Sequence, residues 1–158
     1  MTRFRLLALM AVLLSLGLVG PAHAVTTYTA QLSGANEANP VVTRARGVAV
    51  LILQLSADGT ELKYRLVASN IDDVTMAHIH VGAVGVNGPF VAWLHGPSAD
   101  GGTQNGVLAT GTITDEDLVG PLAGMTLEDL VALIESGDAY VNVHTVANPG
   151  GEIRGQVG

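Results

Sequence analysis

Two histidines stand two apart in Ala77-His78-Ile79-His80-Val81, and a third closes the run Tyr140-Val141-Asn142-Val143-His144. On a β-strand, residues two apart share a face, so His78 and His80 can reach one ion together, and Met76 lies on that same face. Ala77, Ile79 and Val81 form the core side of this strand. In the later run Val141 and Val143 mark the core side, which turns Tyr140, Asn142 and His144 outward. If the two strands pair, three imidazoles converge, and neutral imidazole suits copper and zinc. Such a site loses affinity below about pH 6, as imidazoles with a pKa near 6.5 take up protons. The competing reading is that the histidines bond loop backbone and orient turns. His95 follows Phe90-Val91-Ala92-Trp93-Leu94, where alternation puts Val91, Trp93 and His95 on one side. It reads as a strand-end surface histidine or a fourth ligand.

Other reactive residue types form no recognisable constellation. Glu152 and Arg154 are two apart after the turn Asn148-Pro149-Gly150-Gly151 and read as an exposed ion pair on the polar side of a hairpin. Glu37, Asp72 and Asp73 fall in loops; Asn70 beside the two aspartates offers oxygens, but at no spacing of a rigid calcium cage. Asp115-Glu116-Asp117 suits a helix start. No Gly-x-Ser-x-Gly is present, and no residue is assigned a catalytic role. Gly82 to Gly88 is glycine-rich but lies between strands, so it lacks the following helix that a phosphate cradle needs. There is no cysteine, which excludes thiolate chemistry and disulfides.

The elements that must position these residues follow from the same periodicities. Arg3 and Arg5, the apolar run Leu6 to Val19 and the Ala22-His23-Ala24 cleavage pattern predict an export leader over residues 1–24, hence a secreted or periplasmic protein. Residues 25–158 then form one domain that spans no membrane. Five basic residues against fourteen acidic ones give it a net charge of −9, which argues against nucleic acid as a partner. Strands are expected over 26–32, 47–55, 61–68, 75–81, 90–94, 107–113, 140–145 and 152–157. Glu61 to Ala68 alternates most cleanly, with Leu62, Tyr64, Leu66 and Ala68 inward and Glu61, Lys63 and Arg65 in water. Thr114-Asp115-Glu116-Asp117 and Thr126-Leu127-Glu128-Asp129 resemble capping boxes, the second opening one short helix that stops at Gly137. The fold class is therefore all-β: an immunoglobulin-like or Greek-key β-sandwich or barrel of about eight strands with one short helix.

Five motifs in order resemble the CHRD family, named after chordin and present in bacterial exported proteins. They are Leu32-Ser33-Gly34-Ala35-Asn36-Glu37; Ala77-His78-Ile79-His80 with Gly82, Gly85 and Asn87-Gly88-Pro89; Gly111-Thr112-Ile113-Thr114 with Asp117-Leu118 and Gly120-Pro121-Leu122; Tyr140 to Thr145; and Asn148 to Gln156. Ala38-Asn39-Pro40 departs slightly from the opening motif. The resemblance implies an immunoglobulin-like β-barrel, and the expected role is an exported binding module for a protein or cell-surface ligand. A second, weaker resemblance is to the copper/zinc superoxide dismutase barrel. His78, His80 and His144 match three of its copper ligands, whereas its bridging histidine, zinc cluster and disulfide have no counterpart. It implies a copper- or zinc-binding protein as the alternative.

Overall fold

Alternating apolar residues between turn signals build eight strands and one helix. The computed structural model describes residues 25–56, 59–99 and 101–158; the expected leader lies outside the described residues. In chain order the elements are β1 (Val25–Ser33), β2 (Arg46–Ser56), β3 (Gly59–Asp72), β4 (Val74–Val81), β5 (Phe90–His95), β6 (Thr103–Ile113), α1 (Leu127–Glu135), β7 (Ala139–Thr145) and β8 (Ile153–Gln156). All ladders are antiparallel, in the order β5-β4-β7-β8-β1-β2-β3-β6. At the seam β5 touches β6, and the Tyr64 hydroxyl donates from β3 to the Leu94 carbonyl of β5 at 2.8 Å. The sheet is thus a nearly closed barrel. With β7 returning to lie beside β4, strands β4 to β7 trace a Greek key.

The core is aliphatic. Leu51, Leu62, Leu66, Ile71, Ile79, Val141, Val143 and Ile153 are fully buried, and α1 adds Leu127, Leu130 and Ile134. In the capping box of α1 the Asp129 carboxylate accepts from the Thr126 N–H and hydroxyl, both at 3.0 Å. Tyr64 needs room over its cross-strand partner Gly111, where a Cβ would come within 2.7 Å of the ring.

A corner between β3 and β4 brings the histidine strand into place. A single residue, Asp73, separates the two strands. Asn70 and Asp73 hold φ values of 51° and 50°, a left-handed conformation that Asn and Asp tolerate better than most residues. The Asp73 carboxylate accepts from the Gly102 N–H at 2.7 Å. Of the two aspartates beside Asn70, Asp73 therefore has a local use in turning the chain. Among the described residues no helix is long and apolar enough to cross a membrane.

Candidate metal centre

His78 and His80 come from β4 and His144 from its neighbour β7. The ladder pairs Met76 with His144, His78 with Asn142 and His80 with Tyr140. The three imidazoles converge on the barrel's outer side, with ring centroids 5.1 to 5.9 Å apart. One nitrogen from each ring lies within 4.8 Å of the other two. His78 Nδ1 sits 3.2 Å from His144 Nε2, close to the separation of about 3.3 Å that two nitrogens have on one ion at 2.0–2.1 Å. His80 has to close in from within 4.8 Å to complete such a triangle.

Outward does not mean exposed here. The alternation of β7 predicts a half-buried strand, yet all seven of its residues are buried. His78 and His144 are buried as well, and His80 is partly so. The loop Gly82–Pro89 and the turn at Asn148–Gly151 fold over this side of the sheet and supply polar partners. His80 Nδ1–H donates to the Gly88 carbonyl at 3.0 Å, and His144 Nδ1–H donates to the Pro149 carbonyl at 2.9 Å. These bonds make both Nε2 atoms acceptors: that of His144 faces His78 Nδ1, and that of His80 has no partner. Gly88 is required at its position, because a Cβ there would lie 1.7 Å from the Val81 carbonyl oxygen.

Electrostatics hold the cluster neutral. Burial, then the neighbouring histidines, lower the pKa of His78 to about 4. Burial also lowers His80 to about 4, against the pull of its Gly88 bond. His144 is lowered by burial too. Among the described residues, no carboxylate belongs to the cluster. The buried Nε2 atoms of His78 and His80 have no hydrogen-bond partner.

Aromatic rings wall the site. Phe90 and Trp93 lie 4.6 and 4.4 Å from the His78 ring. Simple alternation puts these two on opposite sides of β5, but the β4–β5 ladder shifts register between Ala77 and His78 and again between Ile79 and His80. The second shift brings Phe90 opposite His80, on the same side as Trp93 opposite His78. No local feature of the sequence signals these irregularities. On the other flank Tyr140 stacks on His80 at 4.8 Å and 12°. The Arg154 guanidinium lies 3.4 Å from the Tyr140 ring centroid.

Arg154 and Glu152 are not the exposed pair that the sequence suggests. Arg154 is 1% exposed and donates to the Val86 and Ala83 carbonyls, each at 2.9 Å. It thereby ties down the loop that orients His80, helped by Gly88 N–H donating to the Tyr140 hydroxyl at 3.1 Å. The Glu152 carboxylate instead accepts from Thr43, Thr145 and Asn148 at 2.7, 2.8 and 3.1 Å. Glu37 is buried rather than free in its loop and accepts from Asn142 at 2.7 Å. Burial pushes its carboxyl up to about 7, against the pull of Arg154 and Asn142. His95 is partly exposed and stands apart beside Val74 and Gln104.

The family model of the CHRD domain matches residues 28–157. The chain belongs to the CHRD domain family. No curated protein and no solved structure matches it. The histidines of this CHRD domain fall in two of the motifs that carry the family resemblance, and the Gly82–Pro89 loop that covers them belongs to the first of those motifs.

Proposed function

We propose that this CHRD domain binds one transition-metal ion, copper or zinc, through His78, His80 and His144. The observation that carries the reading is the convergence of one nitrogen from each of three imidazoles within 4.8 Å, with the buried Nε2 of His80 left unpartnered. Native proteins rarely leave a buried polar atom unpaired, and an ion would satisfy that of His80. The Nδ1 bonds of His80 and His144 to backbone carbonyls add support, since metal-binding histidines are commonly oriented in this way. Burial lowers the pKa values of His78 and His80 to about 4, so proton competition sets in well below the pH 6 suggested by free imidazole. With the export leader expected from the sequence, loading takes place outside the cytoplasm.

The test is metal analysis of exported protein purified without a histidine tag. One equivalent of copper or zinc is expected, lost in His78→Ala and His144→Ala and kept in His95→Ala. Absence of stoichiometric metal after exposure to both ions would end this reading. It would leave a binding module for a protein or cell-surface ligand, a reading supported by apolar side chains exposed around the covering loop. These are Val84, Val86, Phe90 and Trp93.

A further inference from the structure

Resting on the metal reading above, we propose that the pocket is a cuprous site that takes Cu⁺ in preference to divalent ions, with the thioether of Met76 as a soft donor beside the three imidazoles. The first argument is charge. The ligand set is three neutral rings with no carboxylate among the described residues. The charged side chain stacked into this wall is a cation, the Arg154 guanidinium on the far side of Tyr140, whose ring stacks on His80; the Glu37 carboxylate stands behind Asn142 and is bonded to it. A divalent ion therefore enters a desolvated site that offers it no anion. The cost of desolvating an ion grows with the square of its charge, about fourfold from a monovalent to a divalent ion.

The second argument is coordination. Divalent copper and zinc need at least a fourth ligand, which in a three-histidine site is water or an anion. The walls around His78 and His80 are the rings of Phe90, Trp93 and Tyr140, which offer such a water little to bond to. Cu⁺ is content with few ligands and favours soft ones, thioethers included. The third argument is placement. Met76 is the cross-strand partner of His144 and stands two residues before His78, so its side chain leaves β4 on the side of the imidazoles. Facing residues in an antiparallel pair have Cβ atoms about 4.5–5.5 Å apart, within reach of a long, unbranched methionine. Met76 is half-buried, open enough to move toward an ion.

The chain's only tryptophan supplies a readout independent of any activity, because Trp93 packs against His78 at 4.4 Å. Exported, untagged protein is titrated anaerobically with Cu⁺ against a chromophoric Cu⁺ chelator, and separately with Zn²⁺ and Cu²⁺ against their own competitors. Trp93 fluorescence and bound metal are followed together, and the Cu⁺ form is examined by X-ray absorption. One Cu⁺ per chain is expected, with quenched Trp93 emission and no displacement by a hundredfold excess of Zn²⁺. A sulfur scatterer is expected at about 2.3 Å, the length of a metal–sulfur bond. Met76→Leu, which conserves volume, should weaken Cu⁺ at least tenfold and leave Zn²⁺ affinity within about twofold. Equal or tighter binding of either divalent ion overturns the proposal but not the metal site, as does a nitrogen-only absorption spectrum. Failure of all three ions to bind stoichiometrically would overturn both.

Discussion

Strands β3 and β7 share one sequence pattern and meet opposite fates. Each alternates strictly, and each turns its apolar side to the barrel core: Leu62, Leu66 and Ala68 on β3, Val141 and Val143 on β7. On β3 the other side carries Lys63 and Arg65, which are exposed. On β7 the other side carries Tyr140, Asn142 and His144, all buried. The difference lies in what covers them. Among the described residues nothing covers Lys63 and Arg65 of β3, whereas the Gly82–Pro89 loop and the turn after β7 close over the polar side chains of β7. Alternation therefore reports the direction of a side chain, and burial is decided by loops distant in sequence. A polar residue that is both outward and buried has to be hydrogen-bonded or functional, and the histidine cluster lies in that class.

The sharpest way to break this contrast is to truncate one cation from each region. Arg154 bonds two loop carbonyls, lies over Tyr140 and faces Glu37. Arg154→Ala should cost about 3–5 kcal/mol, the usual loss when a buried, paired charge is removed. Arg154→Lys should recover only part of that, since an ammonium lacks the planar fork that serves both carbonyls. Urea unfolding measures both. A loss under about 1 kcal/mol would show that loop and strand are not coupled through this side chain. Next comes the core control. Leu66 is fully buried, so Leu66→Ala should cost about 2–5 kcal/mol and should leave the histidine site intact.

Acid sharpens the same contrast. His78 and His80 titrate near 4 in the fold, and His144 is lowered as well. An unfolded histidine titrates near 6.5, so between about pH 6.5 and 4 the unfolded chain binds more protons and stability falls with pH, by on the order of 3 kcal/mol for each of His78 and His80. Glu37 acts in the opposite sense. Its carboxyl titrates near 7 in the fold against a usual 4.5, so the folded chain gains a proton first and this group stabilises as pH falls through 7. Three histidines outweigh one carboxyl, and the melting temperature of the metal-free protein should drop from pH 7 to pH 4. Glu37→Gln should steepen that drop and raise stability at pH 8 by about 1–2 kcal/mol. A loss of stability at pH 8 in this variant would mean that an ionised Glu37 holds Arg154 favourably.

Much of the framework is legible in the chain because it is local. Period-two and continuous apolar runs between turn signals place the eight strands, Thr126 and Asp129 announce α1, and the pairing of His78 with His80 needs only strand geometry. The convergence of His144 on them needs β7 to lie beside β4, which the resemblance suggests and periodicity alone does not. What stays hidden is non-local. A register shift in a six-residue strand, between Ile79 and His80, moves Phe90 onto the site beside Trp93. A loop more than sixty residues upstream in sequence covers Arg154 and converts an expected surface ion pair into a buried clamp. Glu37, from another loop again, finds Asn142 only after the barrel closes.

The smallest effect is the strictest test of the contrast. Lys63 on β3 has named partners, as Arg154 does: its ammonium lies 3.6 Å from the Glu61 carboxylate and donates to Gln54 at 2.9 Å. Counted as contacts, the two residues look comparable. The difference is water, because the Lys63 and Glu61 side chains are 48% and 41% exposed. Solvent screens the pair, and holding a long lysine in place offsets most of the remaining attraction. Lys63→Ala should therefore cost about 0.5 kcal/mol or less, and that remainder should vanish in about 1 M salt, where the Debye length is near 3 Å. Denaturant melts of Lys63→Ala and Arg154→Ala at low and high salt decide the matter. If Lys63→Ala proves as costly as Arg154→Ala, burial is not what separates the two strands. If only the Lys63 increment depends on salt, coverage by loops is the physical difference between a solvated face and a built site.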